Sequence, residues 1–112
     1  RLFESSARLG AICAGAPVDV QERAGVYGLE LGRAFQIADD LLDVTGTQEE
    51  LGKAVAKDAA AGKQTYPGVV GVEASRRAAR YAADRAIAAL DVFGPRADDL
   101  RQLALFVVNR SK

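Results

Sequence analysis

Asp39, Asp40 and Asp43 are the residues whose types and spacing could do chemistry. On a helix, residues four apart stack one above the other, so Asp39 and Asp43 point the same way, one turn apart. Asp40 lies about 100° round the helix, on the flank. Two stacked carboxylates repel each other, and a divalent cation beside them removes the repulsion. Mg²⁺ suits such a place: it keeps several waters and is typically held by one or two carboxylates plus the phosphates of a substrate. The chain has no histidine and a single cysteine, Cys13. A metal here would therefore take oxygen ligands, which points to Mg²⁺, Mn²⁺ or Ca²⁺ rather than zinc. The competing reading is a solvated acidic face. Against it, Phe35, Ile37, Leu41 and Leu42 make the segment largely apolar. The carboxylates also sit near the C-terminal end of their helix, where the dipole disfavours negative charge.

Ten residues further on, Lys53, Lys57 and Lys63 accompany Asp58. Gly52 and Gly62 stand before two of these lysines and let the backbone bend towards a ligand. Lysine binds phosphate as a mobile point charge, although loop lysines are commonly only solvated. Placed after the carboxylates, the lysines complete a constellation suited to clamping a diphosphate through a metal. Gln36 could hydrogen-bond a ligand or orient a carboxylate, or be a satisfied buried amide. Arg110 and Lys112 end the last helix, where cations are favoured in any case. Cys13 reads as a small core residue, since no base partner accompanies it.

These residues need rigid helices to hold them. Alanine is abundant, β-branched residues are few and no period-two alternation persists, so the expected class is all-α, an antiparallel helix bundle. The pattern predicts a helix from Leu2 to Ala14, stopped near Gly15 and Pro17. Asp19 is placed to cap a long helix reaching Val44. Gly25, Gly28 and Gly32 fall on one side of that helix and predict a close helix neighbour. The least regular stretch is 46–66. A helix from Glu73 to Val92 follows, with Tyr81, Ile87, Ala88 and Leu90 as its apolar stripe and Arg80 paired with Asp84. Gly94-Pro95 is a turn. Asp98 opens the last helix, whose face carries Leu100, Leu103, Ala104 and Val107.

The 112 residues make at most one domain. Fifteen basic and fifteen acidic residues leave no net charge, which argues against a general nucleic-acid or membrane-surface binder. No apolar run approaches a membrane span, and no signal peptide is visible. A lone cysteine makes a reducing cytoplasm the default expectation.

The motifs together resemble one family. Phe35-Gln36-Ile37-Ala38-Asp39-Asp40-Leu41-Leu42-Asp43-Val44 resembles the FQ-x-x-DD-x-x-D motif of trans-isoprenyl diphosphate synthases, the polyprenyl synthases. Leu51-Gly52-Lys53, then Lys57-Asp58, then Gly62-Lys63-Gln64-Thr65-Tyr66-Pro67, resembles the loop that follows this motif in farnesyl and geranylgeranyl diphosphate synthases. Arg8-Leu9-Gly10-Ala11 is similar to the helix before it, and Val107 to Lys112 to the basic C-terminus of bacterial short-chain enzymes.

The resemblance covers essentially the whole chain and implies the C-terminal part of the isoprenoid synthase fold. It also implies a Mg²⁺-dependent head-to-tail 1'-4 condensation, in which an allylic diphosphate ionises, isopentenyl diphosphate attacks and a proton is lost. By the resemblance, Asp39 is a direct metal ligand supported by Asp40 and Asp43, and Asp58 reaches the metal through water. Lys53 contacts the allylic diphosphate, Lys63 lies in the same lid-like region, and Gln36 lies near the reacting centre. Arg110 and Lys112 belong to a basic tail that closes over isopentenyl diphosphate.

The first aspartate-rich motif of the family and its upstream basic residues are absent. Together with the start at Arg1, this leads to the expectation of roughly the last third of such a chain, inactive alone, with the N-terminal part of the same protein as its partner and a homodimer as the family habit. In the family that the chain resembles, product length depends on side chains near the first motif, absent here, so farnesyl, geranylgeranyl and longer products stay open. A non-catalytic binding or regulatory module on the same scaffold is the alternative, and the residues upstream of Arg1 would separate the two.

Overall fold

A computed structural model describes residues 2–45 and 70–110. Among these, four α-helices and one 3₁₀ helix occur, and no strand. They are α1 (Leu2–Cys13), α2 (Val18–Thr45), α3 (Val72–Ala88), the 3₁₀ segment Asp91–Ala97 and α4 (Asp98–Asn109). The all-α expectation is borne out.

Helix α2 is the axis on which the others are laid. Phe3 lies against Gly28 and Gly32, and Arg8 lies against Gly25, so α1 runs antiparallel to α2. The glycines in α2 serve this approach, as their spacing predicted. A β-carbon on Gly28 would run into the backbone carbonyl of Phe3 and lie 2.9 Å from the Cα of Glu4. Helix α3 is also antiparallel to α2: Ala79 clusters with Ile37 and Leu41, while Arg85 reaches back to Glu30. Helix α4 runs parallel to α2, since Leu100 sits beside Tyr27 and Arg110 beside Asp39.

The core between α2, α3 and α4 is built mostly from alanine. Ala34 and Ala38 meet Ala82, Ala83 and Ala86, with Leu31, Leu90, Ala104 and Val107 filling the larger spaces. Small side chains allow close helix approach, and their helix propensity is high. The expected stripe of α3 therefore needs correction. Leu90 is buried (1% exposed) and Ile87 packs on the core, but Tyr81 is 62% exposed and Ala88 is also outside. The buried line is instead Ser75, Ala79, Ala82, Ala83 and Ala86, at spacings of three and four. Arg80 and Asp84 pair at 3.4 Å as expected, both largely exposed and worth a few tenths of a kcal/mol.

Element ends differ from expectation by a few residues. Helix α1 stops at Cys13 and α2 starts at Val18, which puts Asp19 inside the first turn rather than at the cap. Helix α3 stops at Ala88, short of Val92, because the chain tightens into a 3₁₀ turn that keeps Leu90 inside. The Gly94-Pro95 turn is a kink within the 3₁₀ segment. Gly94 has φ 61° and ψ −154°, a conformation open to glycine and strained for other residues. Arg101 holds this corner by donating to the carbonyls of Gly94 (2.8 Å) and Leu90 (3.0 Å) while pairing with Asp98.

On α4, Ala104 and Val107 are buried, whereas Leu100 and Leu103 are each 42% exposed. Cys13 is exposed, not a core residue as its type suggested. It lies on α1, which has no fully buried residue.

Tyr27 ties α2 to α4. Its hydroxyl donates to the carbonyl of Leu100 at 2.9 Å, and burial pushes its pKa from 10.0 up to about 12. The folded state thus holds this proton more tightly than the unfolded chain. The contribution of this group to stability should be constant below about pH 10 and fall between pH 10 and 12, as the unfolded phenol ionises and the folded one does not. The loss is about 2–3 kcal/mol by pH 12. Urea unfolding at pH 9, 10.5 and 12 should show this fall, and Tyr27→Phe should flatten it.

Candidate metal–diphosphate site

The C-terminal half of α2 presents the motif. Ile37, Ala38 and Leu41 face inward and are buried, which turns the acidic positions outward and fixes their direction. Asp39 is about half exposed (51%), and Asp43 follows it one turn later on the same side. Gln36 is exposed and donates from Nε2 to Oδ1 of Asp40 at 3.2 Å. Of the readings open for Gln36, orienting a carboxylate is the one the geometry supports, and that carboxylate is on the flanking position rather than on Asp39.

Arg110 is brought to the same place from the other end of the described chain. It caps the C-terminus of α4, its backbone N–H donating to Phe106 O and its Nε to Val107 O at 3.2 Å. Its guanidinium lies over the Phe35 ring, 4.6 Å from the centroid, and its Nη2 stands 3.7 Å from Asp39 Oδ1. Phe35 in turn meets Phe3 of α1, with ring centroids 5.4 Å apart. A line of contacts from three helices, Phe3 to Phe35 to Arg110, thus ends on Asp39. Phe35 as the seat of Arg110 was not foreseen from the sequence. Its only signals were its place in the motif, four residues before Asp39, and the presence of a cation at the chain's end.

Glu30 was also not foreseen. It is 3% exposed and pairs with Arg33 at 3.1 Å and with Arg85 of α3 at 3.5 Å. It lies more than two helical turns before Asp39 and serves to join α2 to α3.

Lys53, Lys57, Asp58, Lys63 and Lys112, together with Gly52 and Gly62, lie outside the described residues. Of the residues singled out for chemistry, the structure therefore brings together Gln36, Asp39, Asp40, Asp43 and Arg110.

Among the described residues, no three carboxylates converge closely enough to hold an ion unaided. The donor set is one half-exposed carboxylate, a second stacked beside it, and no nitrogen or sulfur ligand. It does not fit a closed cage. It fits an open site, in which a hard divalent cation completes its shell with water and phosphate oxygens.

A second feature lies on the other side of Phe3. An apolar groove of about 630 Å³ runs between α1, α2 and α4, walled by Leu2, Phe3, Tyr27, Leu31, Phe93, Leu100 and Leu103. Leu9 and Ile12 of α1 and Val18 of α2 are also exposed. No helix among the described residues is long and apolar enough to cross a membrane.

An all-helical scaffold that displays an aspartate-rich helix end beside an arginine is the class that fold and site define. The Polyprenyl synthetase family model matches residues 1–92. The chain belongs to that family. It is 44% identical to the geranylfarnesyl diphosphate synthase, chloroplastic, of Leucosceptrum canum, over 97% of this chain and 30% of that protein. It is 39% identical to the geranylgeranyl diphosphate synthase of Cyanophora paradoxa, over 98% of this chain and 37% of that protein. It is also 39% identical to the dimethylallyltranstransferase of Fischerella ambigua (strain UTEX 1903), over 98% of this chain and 32% of that protein. The chain spans about a third of the length of these relatives.

Proposed function

We propose that this chain contributes the second aspartate-rich half of a Mg²⁺-dependent prenyltransferase site, which joins isopentenyl diphosphate to an allylic diphosphate. The single observation carrying this reading is the pair Asp39 and Asp43, held outward on a buried-faced helix in a chain that belongs to the polyprenyl synthetase family. Mg²⁺, when bound, would neutralise the charge that develops on the departing diphosphate. Asp39 would be its ligand, with Asp43 beside it and Asp40 kept in place by Gln36. Lys53 and Lys63 would meet the allylic diphosphate, Asp58 would reach the metal through water, and Arg110 and Lys112 would face the isopentenyl diphosphate.

The relatives' length supports a longer assembly. The apolar groove and the exposed leucines of α1 suit packing by further helices of such a bundle, which would carry the opposing carboxylates. A homodimer and a reducing compartment such as the cytoplasm belong to the same reading. The chain by itself is then inactive.

The test is turnover by the full-length protein of labelled isopentenyl diphosphate with dimethylallyl, geranyl or farnesyl diphosphate. Product should form with Mg²⁺ and stop with EDTA. Metal-independent turnover, or none with any allylic partner, would overturn the proposal.

A further inference from the structure

Arg110 is 14% exposed, and its Nη2 is buried without a hydrogen-bond acceptor. At 3.7 Å from Asp39 Oδ1 it is close enough to pair by charge and too far to donate. A guanidinium stays protonated at any physiological pH, and a buried donor on it left unpaired is unfavourable. The side chain is nonetheless held there, by the Phe35 ring beneath it and by the Val107 carbonyl on Nε. A cation ligated by Asp39 would lie only a few ångströms from this fixed positive charge and be repelled by it. The same orphan N–H is an unused donor, suited to a phosphate oxygen once the side chain turns to expose it.

We propose that Arg110 is the resident countercation of Asp39, opposing a divalent cation at that carboxylate until a diphosphate engages the guanidinium. This rests on the metal–diphosphate reading above and gives it an order: metal alone binds weakly, and diphosphate relieves the opposition. Arg110 is thus a positioning residue that couples the two ligands, and such coupling must act equally in both directions.

The test is Mn²⁺ binding to the full-length protein, followed by electron paramagnetic resonance with and without inorganic pyrophosphate. Arg110→Gln should tighten Mn²⁺ binding in the absence of pyrophosphate by about three- to tenfold. It should also shrink the gain that pyrophosphate brings. Arg110→Lys keeps the charge and should stay near wild type, which separates charge from packing; circular dichroism checks that both variants fold. Unchanged or weaker Mn²⁺ binding in Arg110→Gln would overturn the proposal, and so would a lysine variant that behaves like the glutamine one. Asp39→Asn separates the two levels. If it abolishes Mn²⁺ binding while Arg110→Gln changes nothing, only the coupling fails. If it changes nothing, the metal reading fails and the coupling with it.

Discussion

Asp39→Ala is expected to lower the proposed prenyl-transfer turnover of the full-length protein by about a hundredfold or more while leaving the fold in place. The first half follows from its proposed role, since losing a metal ligand would remove stabilisation of the charge on the departing diphosphate. The second half follows from its position. Asp39 is half exposed and stands 3.7 Å from Arg110, so little packing is lost. The melting temperature should move by no more than about 2 °C, as for ordinary exposed substitutions. Asp40→Ala supplies the comparison. Asp40 sits on the flank and is engaged by Gln36, so its loss should be several-fold smaller. Steady-state kinetics on both variants, with a thermal melt of each, would check the pair. Equal losses would mean that the stacked geometry does not decide which carboxylate binds.

Gly28→Ala is expected to destabilise the protein by about 2–3 kcal/mol, although alanine is the better helix former by about 1 kcal/mol. The added β-carbon would strike the Phe3 carbonyl and crowd the Glu4 Cα at 2.9 Å, both backbone atoms that cannot swing aside. Helix α1 would have to move as a body, disturbing the Phe3–Phe35 contact beneath Arg110. Gly10→Ala should have the opposite sign. It lies within α1 with nothing within 4 Å of the added atom, so helix propensity should win and stability should rise by about 0.5–1 kcal/mol. Urea unfolding of the two variants would show the divergence.

The sequence made the helices legible because alanine-rich 3.6-residue periodicity and glycine or proline breaks are local signals. Gly25, Gly28 and Gly32 even announced the α1–α2 contact. What stayed hidden was which side of α3 turns inward. Tyr81 is large and apolar enough to suggest a core residue, but along α3 the inner line is filled by Ser75, Ala79, Ala82, Ala83 and Ala86, and Tyr81 lies outside. Cys13 was misplaced for a related reason: a small thiol suggests burial, whereas its helix lies on the outer surface of α2.

At the candidate site, Asp39, Asp40 and Asp43 were legible as a motif because their spacing is local. The Arg110–Phe35–Asp39 arrangement was not, because it joins positions some seventy residues apart and depends on α4 running parallel to α2. Glu30 gave no signal either, since its ion pair with Arg85 exists only once α3 has packed.

The most direct measurement is isothermal titration of pyrophosphate with Mg²⁺ into the full-length protein and into its Asp39→Asn variant. With Mg²⁺ present, wild type should bind pyrophosphate, Asp39→Asn should bind it at least about tenfold more weakly, and without Mg²⁺ the two should be alike. Equal, Mg²⁺-independent affinities in wild type and variant would contradict the assignment of Asp39 to a metal–diphosphate site.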